Sequence, residues 1–174
     1  MKKISLLLLF ILTVAGVSSV SAQTMQEEVP PYKKDLHLPD FIILQTDSTW
    51  LTRDQLPKYE YTAIVYFSPD CGHCQVTVTD LLKKMDSLKN VLFVFVAYKP
   101  LSELKEFYAY YGLNKFQNIR MGRDPKYFIP AFFRVTATPF VAVYNSSGVL
   151  NRVFDPASNT TIEVPELLAL VNNH

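Results

Sequence analysis

Tyr61-Thr62-Ala63-Ile64-Val65-Tyr66-Phe67-Ser68-Pro69-Asp70-Cys71-Gly72-His73-Cys74 is the stretch on which the fold of this chain turns. Its first seven residues are apolar and rich in β-branched and aromatic side chains, which reads as a strand. From Gly72 onward Val78, Leu81, Leu82, Met85 and Leu88 recur at helical spacing, predicting a helix over 72–88. The first of the chain's two cysteines therefore stands where a strand hands over to a helix. Unpaired N–H groups and the positive end of the helix dipole favour a thiolate there, the form that attacks disulfides. A purely structural bridge between Cys71 and Cys74 would close a loop of only four residues, and short loops gain little from closure. The pair reads as a dithiol/disulfide redox centre.

Outward from this stretch, strands and helices alternate. Residues 41–46 and 49–51 flank Asp47-Ser48 and predict a β-hairpin, and 52–56 a short helical turn stopped by Pro57. Val91 to Ala97 is an unbroken apolar run, the pattern of a parallel strand covered on both faces. Ser102 is placed to cap a helix carrying Leu104, Phe107, Tyr108 and Tyr111, which Gly112 stops. A short strand is expected at 116–121, then a helix over 125–133 that Pro130 splits. A hairpin follows over 140–144 and 149–154, and then a last helix with Pro165 in its first turn. The order predicts an α/β domain with a central mixed sheet flanked by helices.

At the N-terminus, Lys2 and Lys3 precede an apolar run from Ile4 to Val17, and Val20-Ser21-Ala22 offers a small-residue cleavage site. This is the pattern of a secretory signal peptide over 1–22, cut after Ala22. The polar stretch 23–35, with Pro30-Pro31, reads as a flexible linker, and 36–174 as one domain, soluble in its mature form. Removing Lys2 and Lys3 from 17 basic residues leaves 15 against 16 acidic ones, a formal charge of −1. Such near-neutrality gives no footprint for nucleic acid.

A Cys-x-x-Cys at a strand-to-helix junction, followed by Ala137-Thr138-Pro139-Phe140, resembles the thioredoxin superfamily. The extra N-terminal hairpin and the helix and strand between Ser102 and Met121, together with the export signal, make the chain similar to the exported TlpA/ResA-like thiol-disulfide oxidoreductases. The resemblance implies a thioredoxin-like fold and a cis bond before Pro139, which would lie against the cysteine pair. It also implies a periplasmic or secreted location, protein thiol and disulfide substrates, and a membrane electron donor or acceptor. No cofactor is implied beyond the Cys71–Cys74 disulfide itself.

On this reading Cys71 is the nucleophile and Cys74 resolves the mixed disulfide. Gly72 lets a substrate backbone approach, and the backbone at Thr138 pairs with an extended substrate segment beside Pro139. His73 beside Cys71 favours the thiolate and a more oxidising disulfide. The Gly-His pair resembles that of protein disulfide isomerases, near about −180 mV, against about −270 mV for thioredoxin. Two positions depart from the family pattern, since the acids expected six residues before and six after the first cysteine are Val65 and Thr77. Asp70 stands where a tryptophan is usual, and a carboxylate close to Cys71 would raise its pKa. The alternatives are a thioredoxin-fold peroxidase, for which Ile64 occupies the place of the required proline, and a copper chaperone using the cysteines and His73, for which the spacing is short.

Overall fold

The structure, a computed structural model, describes residues 29–172. The leader read over 1–22, the first part of the linker and His174 lie outside the described residues. The element order is α1 (Pro31–Lys34), β1 (Ile42–Gln45), β2 (Trp50–Thr52), β3 (Tyr61–Tyr66), α2 (Gly72–Lys83), β4 (Val91–Ala97), α3 (Leu101–Tyr110), β5 (Ile119–Arg123), α4 (Phe128–Phe133), β6 (Phe140–Asn145), β7 (Leu150–Phe154) and α5 (Val164–Asn172). The strands form one seven-stranded sheet in the order β2-β1-β5-β4-β3-β6-β7. β4 is parallel to β3 and to β5, while the remaining pairs are antiparallel. The mixed sheet is therefore as the alternation of elements requires.

Period-two alternation along the central strands divides the core into two layers. Ala63, Val65 and Phe67 point to one face with Phe93 and Phe95, where α2, α3 and α5 supply Cys74, Val78, Leu81, Leu104, Phe107 and Leu167. Ile64 and Tyr66 point to the other, with Val94, Phe140, and Ile129 and Phe133 of α4. All seven residues of β4 are buried, which explains its lack of any polar position.

Several boundaries differ from the sequence reading. The expected helix over 72–88 ends at Lys83, and Met85–Leu88 tightens into a 3₁₀ turn. The buried Asn118 side chain holds this exit by donating to the carbonyls of Leu88 (3.0 Å) and Val91 (2.8 Å). α3 is capped at Pro100, with Ser102 already inside it. α4 starts at Phe128, after Tyr127 in the left-handed region, and Pro130 does not split it. As its third residue, Pro130 lacks an N–H that would have had no partner within the helix. The buried Asp124 carboxylate accepts instead from the N–H of Ile129 (2.7 Å) and of Lys126 (3.1 Å). Within 23–35, Pro31–Lys34 is helical rather than free linker, and the Tyr32 ring lies 5.5 Å from Phe133 and 6.5 Å from Phe140.

The expected strand over 116–121 is found at Ile119–Arg123 instead, set between β4 and β1. Gly122 is what allows β1 to come so close. A Cβ there would sit 2.8 Å from the Leu44 carbonyl oxygen and 3.0 Å from Ile43 Cδ1. The oxygen belongs to backbone and cannot swing aside, so Gly122→Ala is expected to cost about 1–3 kcal/mol through overpacking. Urea unfolding measures this as a lower midpoint at unchanged slope. An unchanged midpoint would mean that the β1–β2 hairpin shifts freely.

Candidate active site

Strand β3 carries the chain to the cysteines, and the ladder extends one residue past it through Phe67 N–H to the Val96 carbonyl (3.0 Å). The backbone then turns at Pro69-Asp70, closed by Cys71 N–H donating to the Ser68 carbonyl (3.1 Å). The Gln75 side chain ties the turn to α2 by donating to the Pro69 carbonyl (2.9 Å). Cys71 is the residue before the first helical position, with extended backbone, and its carbonyl already accepts from Gln75 N–H (3.0 Å). The two cysteines end in different environments as a result. Cys74, one helical turn on, is 1% exposed in the apolar layer with Val65 and Phe67, whereas Cys71 is half-buried at the rim.

Both sulfurs are thiols in this structure. The Cys71 thiol donates to the Thr138 carbonyl at 3.7 Å. Partial burial pushes the Cys71 pKa up, but hydrogen bonding from the Thr138 side chain, from the N–H groups of Cys74 and His73 and from the Cys74 thiol outweighs it, leaving the pKa below that of an ordinary cysteine. Burial pushes Cys74 the other way, up to about 12. One sulfur is disposed to ionise and the other to hold its proton. This is the division of labour that nucleophilic attack followed by resolution requires.

The remaining residues singled out in the sequence fall around this pair. The Thr138–Pro139 bond is cis and stands at the start of β6, against Cys71. Thr138, Pro139, Gly72, His73 and Thr77 line a cleft of about 1020 Å³, closed on its far side by residues 161–165 and Leu168 at the start of α5. Gly72 faces open space, with nothing within 4 Å of where a Cβ would stand. His73 is exposed on the same rim. Val65 packs in the apolar layer with Cys74 and Thr77 lies along the cleft, so neither departure from the family pattern places an acid beneath the buried sulfur.

Asp70 differs from expectation. Its carboxylate is held by the Lys99 ammonium (2.8 Å) and accepts from the Ser68 hydroxyl, and these partners hold its pKa down at about 2. It is not among the groups that shift the Cys71 thiol most. The charge expected to oppose the helix terminus is already paired. Sequence reasoning missed Lys99. The signal was present in its place two residues past the end of β4, because a parallel neighbour of β3 delivers its C-terminal end to the same edge of the sheet. The α5 wall of the cleft was also missed, since no spacing rule connects residues 161–168 with 72–77.

No family model matches the chain, and no curated protein sequence matches it. Solved structures do. A secreted disulfide oxidoreductase of Mycobacterium tuberculosis, homologous to Escherichia coli DsbE, superposes with a TM-score of 0.63 at 19% identity, over 77% of this chain and 96% of its own. A thioredoxin-like protein of Aeropyrum pernix gives 0.63 at 11% identity, over 78% and 89%. A thiol peroxidase of Chromobacterium violaceum gives 0.65 at 14% identity, over 79% and 84%. The fold is thioredoxin-like. Because it carries both oxidoreductases and peroxidases, the fold does not choose between them, and the cysteine pair must.

Proposed function

We propose that the protein is a thiol-disulfide oxidoreductase that exchanges electrons with cysteines of protein substrates through a reversible Cys71–Cys74 disulfide. The observation that carries this reading is the opposed environment of the two sulfurs, one depressed in pKa at a helix start and one raised to about 12 in the core, beside an open cleft. The Cys71 thiolate attacks one sulfur of a substrate disulfide, forming a mixed disulfide and releasing the other substrate sulfur as a thiolate. Cys74 then gives its proton to the substrate thiolate just released and attacks Cys71 Sγ. The Cys71–Cys74 bond forms, the bond to substrate breaks, and the second substrate thiolate leaves. Two electrons have passed from the dithiol to the substrate, and the reverse sequence oxidises a substrate dithiol.

Gly72 and the Thr138 backbone lie where an extended substrate segment would run, and the cleft beyond them has room for its side chains. The leader read over 1–22 and the likeness to a secreted oxidoreductase support an exported protein; a membrane electron donor or acceptor would reset it.

The test is turnover of a protein disulfide. The purified protein accelerates the reduction of insulin disulfides by dithiothreitol, and a rate equal to dithiothreitol alone would sink the reading. Equilibration with glutathione buffers then fixes the working direction. A potential of about −200 mV or above makes the protein an oxidant or isomerase, and about −270 mV or below makes it a reductant.

A further inference from the structure

We propose that Lys99 is a positioning residue for Cys71, acting through Asp70. Its ammonium holds the Asp70 carboxylate in an ion pair and so cancels the negative charge at the turn that leads into the nucleophile. The inference rests on the redox reading of Cys71.

The geometry is specific to this turn. Asp70 is the residue directly before Cys71, and its two carboxylate oxygens are both engaged, Oδ1 by the Ser68 hydroxyl and Oδ2 by Lys99 Nζ at 2.8 Å. Ser68 is also the residue whose carbonyl accepts from Cys71 N–H (3.1 Å), so the ion pair and the cysteine's backbone are anchored on the same residue. Lys99 reaches it from the loop after β4, whose parallel pairing with β3 sets Val96 opposite Tyr66 and brings both strand ends together. Glu103 on α3 is a second carboxylate acting on Lys99, and it favours the ammonium form. Facing Cys71 itself are Thr138 before β6, the N–H groups of His73 and Cys74, and the Cys74 thiol. The Thr138 side chain, these N–H groups and the Cys74 thiol favour the thiolate, while burial and the Thr138 carbonyl, which accepts from the thiol, oppose it. An unpaired carboxylate one residue away would oppose that ionisation, since a nearby like charge disfavours the charged form. Lys99 removes the opposition. Its side chain is 38% exposed and that of Asp70 65%, so the pair is open to salt and contributes little to stability. What it changes is the charge seen from the sulfur.

The experiment reads thiolate formation at Cys71 as the pH dependence of iodoacetamide alkylation at low salt, in the wild type, K99M, K99R, D70N and the double variant K99M/D70N. Cys74 does not interfere, because it is 1% exposed in the apolar layer and burial pushes its pKa up to about 12. K99M is expected to move the Cys71 midpoint up by about half a pH unit, a roughly threefold smaller thiolate fraction below the midpoint. K99R keeps the wild-type midpoint. The double variant titrates as D70N does, because without the Asp70 carboxylate nothing holds the Lys99 ammonium at the turn and it swings into solvent. A K99M midpoint equal to wild type overturns the proposal, and so does a K99M shift of the same size in the D70N background. A merely structural ion pair would move none of these midpoints. The alkylation reading requires no substrate disulfide, so failure of insulin reduction in the wild type would remove the functional reading and leave this titration to stand or fall separately.

Discussion

Cys71→Ser is expected to remove at least about a thousandfold of the proposed disulfide-exchange rate, while Cys74→Ser is expected to leave the first step intact and trap the substrate. Serine at 71 keeps the size and the place at the helix start, but a hydroxyl does not ionise near neutral pH, and the thiolate is the attacking species. At position 74 the loss falls later. The Cys71 thiolate still attacks, the mixed disulfide still forms, and nothing resolves it. Incubation with a disulfide-bearing protein should therefore give a covalent adduct of Cys74→Ser, seen as a mass increase that dithiothreitol reverses. Cys71→Ser should give none. Full insulin reduction by Cys71→Ser, or adducts formed equally by both variants, would contradict the assignment of nucleophile and resolving thiol.

The largest effect on stability is expected at Phe67. Its ring is 2% exposed and packs edge-on to Phe95 at 5.7 Å and against Phe107 at 5.0 Å, so it joins β3, β4 and α3 immediately before the cysteine turn. Phe67→Ala should cost about 3–5 kcal/mol, from lost transfer energy plus a cavity that the flanking strands cannot collapse. A domain of this kind has roughly 5–15 kcal/mol in total, so the variant sits near the edge of folding. Urea denaturation followed by circular dichroism measures the loss. A cost under about 1 kcal/mol would mean that neighbouring rings fill the space, against the rigid packing described.

The central strands were legible because burial on both faces leaves a signature that a window of seven residues contains. β3, β4 and β6 show it, with Val91–Ala97 apolar throughout. The bounds of β5, expected over 116–121, shift because Arg120, Gly122 and Arg123 interrupt its pattern, and Gly122 answers to the Leu44 carbonyl, a contact from another strand. The start of α4 hides because it depends on the Asp124 side chain and on a left-handed Tyr127, neither of which has an apolar period. The site divides in the same way. Spacing reveals Cys71 and Cys74, and the Thr-Pro motif points to the segment facing them. The Asp70–Lys99 pair joins residues 29 positions apart, and only the parallel register of β3 and β4 makes them neighbours.

Cys71 and Thr138 are 67 positions apart and meet only because β3 and β6 lie antiparallel, with Tyr66 opposite Phe140. A chain made from its N-terminus therefore emerges with its Cys-x-x-Cys segment complete long before the backbone that faces it has been made. Until β6 takes its place beside β3, Cys71 lacks its contact with Thr138, and the cleft has neither its Thr138-Pro139 rim nor its α5 wall. The surroundings of Cys71 are thus completed only when the last third of the polypeptide has packed against the first half.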